Sequence, residues 1–250
     1  MNEDAERRAS SGTAADGGSM SKFNLDVLAY EESPVGMICL RRRELLSEPG
    51  TVVTEITLDH EFLMSSLVTA SERALALRAL ELRPGTELEV LVGGLGLGYT
   101  AREALTSERV ARVDVIEYLP QVIDWMERGL IPLSSELLED SRFAVTQGDV
   151  YGYLAADPGK QYDLILVDVD HSPDERLGSA SDSFYTREGL QRAMRHLRPG
   201  GLLGVWSYAE SPEFESVLRG VFEEVHVETE TFVHRFLGDE ETNWLYFGRA

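Results

Sequence analysis

From Asn24 to about Asp59, apolar and polar residues alternate through LDVLAY, VGMICLRR and TVVTEITLD, with turn signals at Ser33-Pro34 and Pro49-Gly50. A period of two puts successive side chains on opposite faces of a strand, so residues 23–59 are predicted to form a small antiparallel unit of two or three strands. The period then changes. Phe62, Leu63, Leu67, Ala70, Leu75, Leu77 and Leu80 recur at helical spacing, which predicts a helix over 60–82 that Arg83-Pro84-Gly85 stops. After Gly85, short apolar runs predict strands at 87–92, 112–117, 143–147, 163–168 and 202–207. Between and after them, helices are predicted at 99–107, 119–128, 149–156, 186–197 and 211–220.

Such alternation produces right-handed crossovers and a parallel sheet with helices on both faces. The end of the chain differs. VFEEVHVETETF and NWLYFGR are separated by little more than a turn, Gly238 to Thr242, and are expected to pair antiparallel at one sheet edge. The fold class is therefore α/β and Rossmann-like, with five parallel strands and a C-terminal antiparallel hairpin over 60–250 behind the small N-terminal β unit. Five parallel strands followed by such a hairpin resemble the seven-stranded sheet of class I S-adenosylmethionine-dependent transferases.

Composition narrows the partners. At 250 residues the chain can bury a full core. A formal charge of −21 argues against nucleic acid, and no basic cluster stands out beyond Arg41, Arg42 and Arg43. The acidity favours cationic small molecules, although it also serves solubility. Cys39 is the single cysteine, which points to a reducing, cytoplasmic setting and leaves no cysteine-based zinc site. No apolar run approaches the roughly 20 residues of a membrane helix. Residues 1–22 are polar, small and Gly/Ser-rich, lack the apolar centre of a signal peptide, and read as a disordered tail, with Met20 as an alternative start.

The chemistry concentrates at strand ends. VLVGGLGLGYTAREAL, from Val90 to Leu105, is an apolar strand, a turn with Gly94, Gly96 and Gly98, and a helix; the next strand closes on Glu117. Glycines there let a backbone approach a nucleoside cofactor, and a carboxylate accepts hydrogen bonds from ribose hydroxyls. Glycines also serve tight packing that binds nothing. Asp149 follows the third strand, where it accepts from an adenine amino group, caps the following helix, or does both. Asp168 and Asp170 end the fourth strand. A carboxylate beside an enclosed cofactor can take a proton from a nucleophile or hold a cationic one, and paired acids shift each other's ionisation. A metal site with His171 as third ligand is the weaker alternative, because no second histidine lies nearby in sequence, and no metal is expected. The loop 172–183 is either a lid or a plain connection. Phe184 and Tyr185 either wall the pocket or plug the core, and Trp206 and Ser207 lie on the same rim.

The order of these features resembles the polyamine aminopropyltransferases, of which spermidine synthase is the type. The shared elements are an N-terminal β unit, a glycine motif ending in an R-E pair (Arg102-Glu103), and the acid Glu117. Then come a G-D pair (Gly148-Asp149), an aspartate-rich strand end, an F-Y pair (Phe184-Tyr185) and Pro199-Gly200-Gly201. The resemblance runs from about Leu25 to the C terminus. It implies Glu117 and Asp149 as nucleoside contacts, Asp168 as the base that deprotonates an attacking amine, and decarboxylated S-adenosylmethionine as co-substrate.

This chain departs from the family in three places. GLGLGY stands for the family's GGGDGG, with Leu97 where an aspartate helps hold the donor's amine. HEFLMSSLVTASE stands for the Tyr-His-Glu segment, with Glu61 as an approximate match. DVDHSP stands for D-x-x-D-P. The nucleoside half is kept and the amine half altered, so Glu61, His171, Tyr185 and Trp206 are the candidate substrate contacts of a divergent member. A small-molecule methyltransferase using intact S-adenosylmethionine is the alternative, and a noncatalytic nucleoside-binding module the second. No nucleic acid or membrane partner is expected, and a homodimer is left open.

Overall fold

The N-terminal alternation builds four strands: β1 (Leu25–Ser33), β2 (Gly36–Glu44), β3 (Val52–Leu58) and β4 (Glu61–Ser65). They form one antiparallel sheet in the order β1-β2-β3-β4. The computed structural model describes residues 25–169, 172–174, 183–233 and 240–250.

The β unit thus reaches Ser65 rather than Asp59, which corrects the helix expected over 60–82. Asp59 and His60 take positive φ of 48° and 73°, the two-residue hairpin geometry whose twist matches the flanking strands. The hairpin pairs Leu58 with Glu61 and Thr57 with Phe62. Phe62 is consequently exposed, despite its place in the apolar spacing. The helix that follows, α1 (Ala70–Leu82), buries Ala74, Leu75, Ala76, Ala79 and Leu80, while Leu77 stays largely in solvent.

The large sheet contains β5 (Leu88–Gly93), β6 (Val110–Glu117), β7 (Phe143–Gln147), β8 (Tyr162–Val167), β9 (Leu197–Ser207), β10 (Glu224–Val233) and β11 (Glu240–Arg249). Their order is β10-β11-β9-β8-β5-β6-β7. The five from β9 to β7 are parallel, and β11 lies antiparallel between β9 and β10. The helices are α2 (Tyr99–Leu105), α3 (Pro120–Glu127), α4 (Ser134–Glu139), α5 (Val150–Ala155), α6 (Arg187–Met194) and α7 (Pro212–Arg219).

Strand periodicity divides the core between the two faces of this sheet. Val90, Val92, Leu164 and Leu166 join Ile38, Leu40 and Ile56 of the small sheet in one cluster. Leu91, Ile165 and Val167 face the other cluster with Phe184, Tyr185, Phe214 and Tyr246. Arg42 donates to the Leu130 carbonyl at 2.7 Å and the Trp125 indole on α3 donates to Glu31 at 2.9 Å, so polar contacts also tie the small sheet to α3 and the segment after it. α4 was not expected. Its single fully buried side chain, Leu137, presses on the glycine turn.

Candidate functional site

β5 delivers the chain into the glycine turn at the carboxyl end of the sheet. Gly94, Gly96 and Gly98 take φ of +96°, +51° and +90°. A Cβ on Gly94 would stand 2.1 Å from the Asp168 carbonyl oxygen, one on Gly96 2.8 Å from Met64 Sδ, and one on Gly98 2.6 Å from Leu137 Cδ1. The three glycines therefore hold the turn in close contact with the end of β8, with β4 and with α4. Leu97, between them, is a buried core side chain that also forms part of a cavity wall.

Glu117 secures the turn from behind. The Leu95 N–H donates to its Oε2 at 2.7 Å and the Leu119 N–H to its Oε1 at 2.7 Å. The carboxyl is only 6 % exposed. Burial raises its pKa, and the backbone amides of Leu119, Leu95, Gly96 and Tyr118 work against that rise by favouring the charged form. Asp149 is the N-cap of α5 and accepts from the Tyr151 N–H at 2.9 Å, which realises the capping alternative. Neither acid is among the residues that line the cavity described next.

A cavity of about 630 Å³ opens between the β3–β4 hairpin, the start of α1, the glycine turn and the β9–β11 side of the sheet. Asp168 lies in it at the end of β8. The same strand carries Asp163 at its other end, where Arg83 at 2.8 Å and Arg198 at 2.7 Å neutralise it. Among the described residues, Asp168 has no such cation beside it. Burial pushes its pKa up to about 6, and a hydrogen bond from the Thr100 hydroxyl holds it below where burial alone would take it. Its backbone is pinned to the turn by the Asp168 N–H donating to Gly93 O at 2.8 Å.

Glu61, Glu72 and Glu241 line the cavity with Asp168, and Phe62, Met64, Trp206, Tyr208 and Phe232 supply apolar and aromatic surface. Four carboxylates from four elements thus face one space that no Lys, Arg or His side chain lines among the described residues. Glu61 and Trp206, expected as substrate contacts, both line this cavity. The expectation for Tyr185 needs correction. It is buried in an aromatic cluster with Phe184 at 5.0 Å and Phe214 at 5.3 Å between ring centroids, its hydroxyl 2.9 Å from that of Tyr151, and it does not line the cavity. Phe184 and Tyr185 plug the core. Asp170, His171 and residues 175–182 of the expected lid lie outside the described residues.

Sequence inspection missed Glu72, Glu241, Asn243 and Thr100. Thr69-Ala70-Ser71-Glu72 is a T-x-x-E signature of a helix start, and it would have placed Glu72 in the first turn of α1. No local signal marks Glu241 and Asn243, which reach the cavity only because β11 returns beside β9, pairing Trp244 with Ser207.

A seven-stranded sheet in this order, with a glycine turn and acids at its carboxyl edge, defines the class I S-adenosylmethionine-dependent transferase fold. Residues 71–233 match the spermine/spermidine synthase domain, and the chain belongs to that family. It is 30% identical over 149 residues to the polyamine aminopropyltransferase of Prochlorococcus marinus, covering 60% of this chain and 47% of that one. It is 31% identical over 123 residues to putrescine N-methyltransferase 2 of Nicotiana tabacum, covering 49% and 33%. The chain thus spans less than half the length of these curated relatives. The spermidine synthase of Thermotoga maritima superposes with a TM-score of 0.68 at 20% identity, covering 89% of this chain and 72% of that one. A spermidine synthase in complex with the transition-state analogue AdoDATO gives 0.67 over the same shares.

Proposed function

We propose that the chain is an aminopropyltransferase-like enzyme that moves an aminopropyl group from decarboxylated S-adenosylmethionine to an amine acceptor. The observation that carries this reading is the cavity beside the glycine turn, lined by Glu61, Glu72, Asp168 and Glu241 and, among the described residues, by no basic side chain. Such a lining attracts cationic amines and disfavours a donor that still carries a carboxylate.

The sulfonium donor is already activated. The acceptor nitrogen forms a bond to the carbon next to sulfur as the carbon–sulfur bond breaks, its electron pair staying on the sulfur of the thioether product. The protein's share is alignment, charge neutralisation and removal of one proton. Asp168 takes that proton from the acceptor nitrogen, and a pKa of about 6 leaves it mostly ionised at neutral pH yet more basic than an exposed aspartate. Glu117 holds the turn and offers its remaining lone pairs to the ribose, with Asp149 near the adenine. Glu61 and Trp206 face the acceptor.

Calorimetric titration with decarboxylated and with intact S-adenosylmethionine tests the donor. The decarboxylated form is expected to bind at least about tenfold more tightly, a difference of roughly 1.4 kcal/mol. Tighter binding of the intact form overturns aminopropyl transfer in favour of methyl transfer. That second reading has its own support in the apolar side chain of Leu97 on the cavity wall and in the likeness to a putrescine N-methyltransferase.

Glu117→Ala is expected to weaken binding of methylthioadenosine, the nucleoside product, by about tenfold or more. It removes the acceptor of two backbone amides, one of them fully buried, each such charge-assisted bond contributing about 1.5–3 kcal/mol. Wild-type affinity in that variant would exclude the clamp from nucleoside binding.

A further inference from the structure

Thr100 is 3 % exposed and sits in the first turn of α2, directly after the glycine turn. Its hydroxyl makes two contacts, one with Asp168 Oδ2 and one of 3.1 Å with the Glu72 carbonyl oxygen. It therefore bridges three elements that border the cavity: α1, α2 and the end of β8. Asp168 has no other side-chain hydrogen bond among the described residues.

A hydroxyl carries one hydrogen and can both donate and accept. With Asp168 ionised, Thr100 donates to Oδ2. When Asp168 takes a proton on its other oxygen, Oδ2 belongs to a neutral carboxyl and still accepts from Thr100; should the proton pass to Oδ2, the carboxyl donates to Thr100, which turns its hydrogen to the Glu72 carbonyl. One side chain thus remains hydrogen-bonded in both protonation states of its neighbour, which a group that cycles a proton requires. The bond to the ionised form is charge-assisted and the stronger of the two.

We infer that Thr100 is a positioning residue: it holds one oxygen of Asp168 so that the other is presented to the acceptor nitrogen, and it sets the proton affinity of the carboxyl. The inference rests on Asp168 being the base. The direction of the Asp168 shift supports it, because the Thr100 hydrogen bond opposes the rise that burial causes. The other titratable groups lining the cavity are Glu72 on α1, Glu61 on β4, Glu241 on β11, and the tyrosines Tyr99 and Tyr208. Asp170 and His171 follow in the chain, outside the described residues. All of these are unchanged by substitution at Thr100, so they bias the variants equally.

The test is a carboxyl carbon-13 NMR titration of Asp168 in the whole protein, its resonance assigned by absence in Asp168→Asn. It is paired with the pH dependence of kcat/KM, using decarboxylated S-adenosylmethionine and putrescine. Thr100→Val keeps the shape and removes the hydroxyl; Thr100→Ser keeps the hydroxyl. In Thr100→Val the Asp168 midpoint is expected to rise by about one pH unit, a tenfold gain in proton affinity, and the acid limb of kcat/KM to move up with it. Thr100→Ser should restore both. A purely structural Thr100, bonded usefully only to the Glu72 carbonyl, would lower thermal stability and leave the midpoint where it was. An unchanged midpoint in Thr100→Val overturns the inference while leaving Asp168 as base. A midpoint that moves without the acid limb shows that Thr100 sets the proton affinity of Asp168 but overturns Asp168 as the base, and with it the positioning of the carboxyl for the acceptor nitrogen.

Discussion

Asp168→Asn is expected to lower turnover by roughly 100- to 10,000-fold, the range a positioned general base contributes, and to leave nucleoside affinity within about twofold of wild type. The substitution keeps size and shape, and the amide oxygen can still accept from Thr100, so the strand end is preserved. It removes only the ability to take a proton. Wild-type activity is expected to fall as pH drops through about 6, because protonated Asp168 cannot serve as base; in Asp168→Asn that limb should disappear along with most of the rate. Burst kinetics with a fixed amine, followed beside calorimetry with methylthioadenosine, separate the two effects. Turnover equal to wild type would remove Asp168 from the chemistry.

Gly94→Ala is the substitution expected to do most damage without touching a titratable group. At φ +96° an L side chain is strained, and its Cβ would meet the Asp168 carbonyl oxygen at 2.1 Å. Backbone blocks it on that side, so no side-chain rotation relieves the clash, and either the turn or the end of β8 must shift. Backbone strain of this kind costs about 1–3 kcal/mol, and the displaced contact adds to it. The melting temperature should fall by roughly 5–10 °C in a domain of this size. Because the same movement carries Asp168 with it, turnover should be lost even below the new melting temperature. A variant that melts and turns over like wild type would show that the contact is not maintained in solution. Gly98→Ala should be milder, since the obstacle is Leu137 Cδ1, the end of a flexible side chain.

The alternation of strands and helices behind Gly85 was legible because short apolar runs mark the strands and helix-compatible segments separate them. β7 runs over Phe143–Gln147 as expected, and β5, β6 and β8 begin or end within two residues of it. The helix over 60–82 was not legible as the hairpin it partly is. Phe62, Leu63 and Leu67 satisfy helical spacing, but Asp59 and His60 in left-handed geometry turn the chain back on β3. Tertiary pairing overrode a short pattern that fits either period. α4 was missed for a different reason: α5 is just as short but sits between two legible strands, whereas α4 follows α3 with no strand between them, and the packing of Leu137 onto Gly98 gives that segment a role.

The site divides along the same line. The amino-acid sequence determined which residues stand at the carboxyl ends of β5, β6 and β8, because a parallel sheet presents successive strand ends on one edge; that was enough to single out Gly94, Gly96, Gly98, Glu117 and Asp168. Only the tertiary structure decided which of them share a space. Glu72, Glu241 and Asn243 join Asp168 through elements distant in the chain, Tyr185 turns into the core, and the Thr100 hydroxyl comes to rest between Asp168 and Glu72. The physical reason is that periodicity reports which face of an element is buried, whereas a cavity is made where several elements fail to fill the space between them.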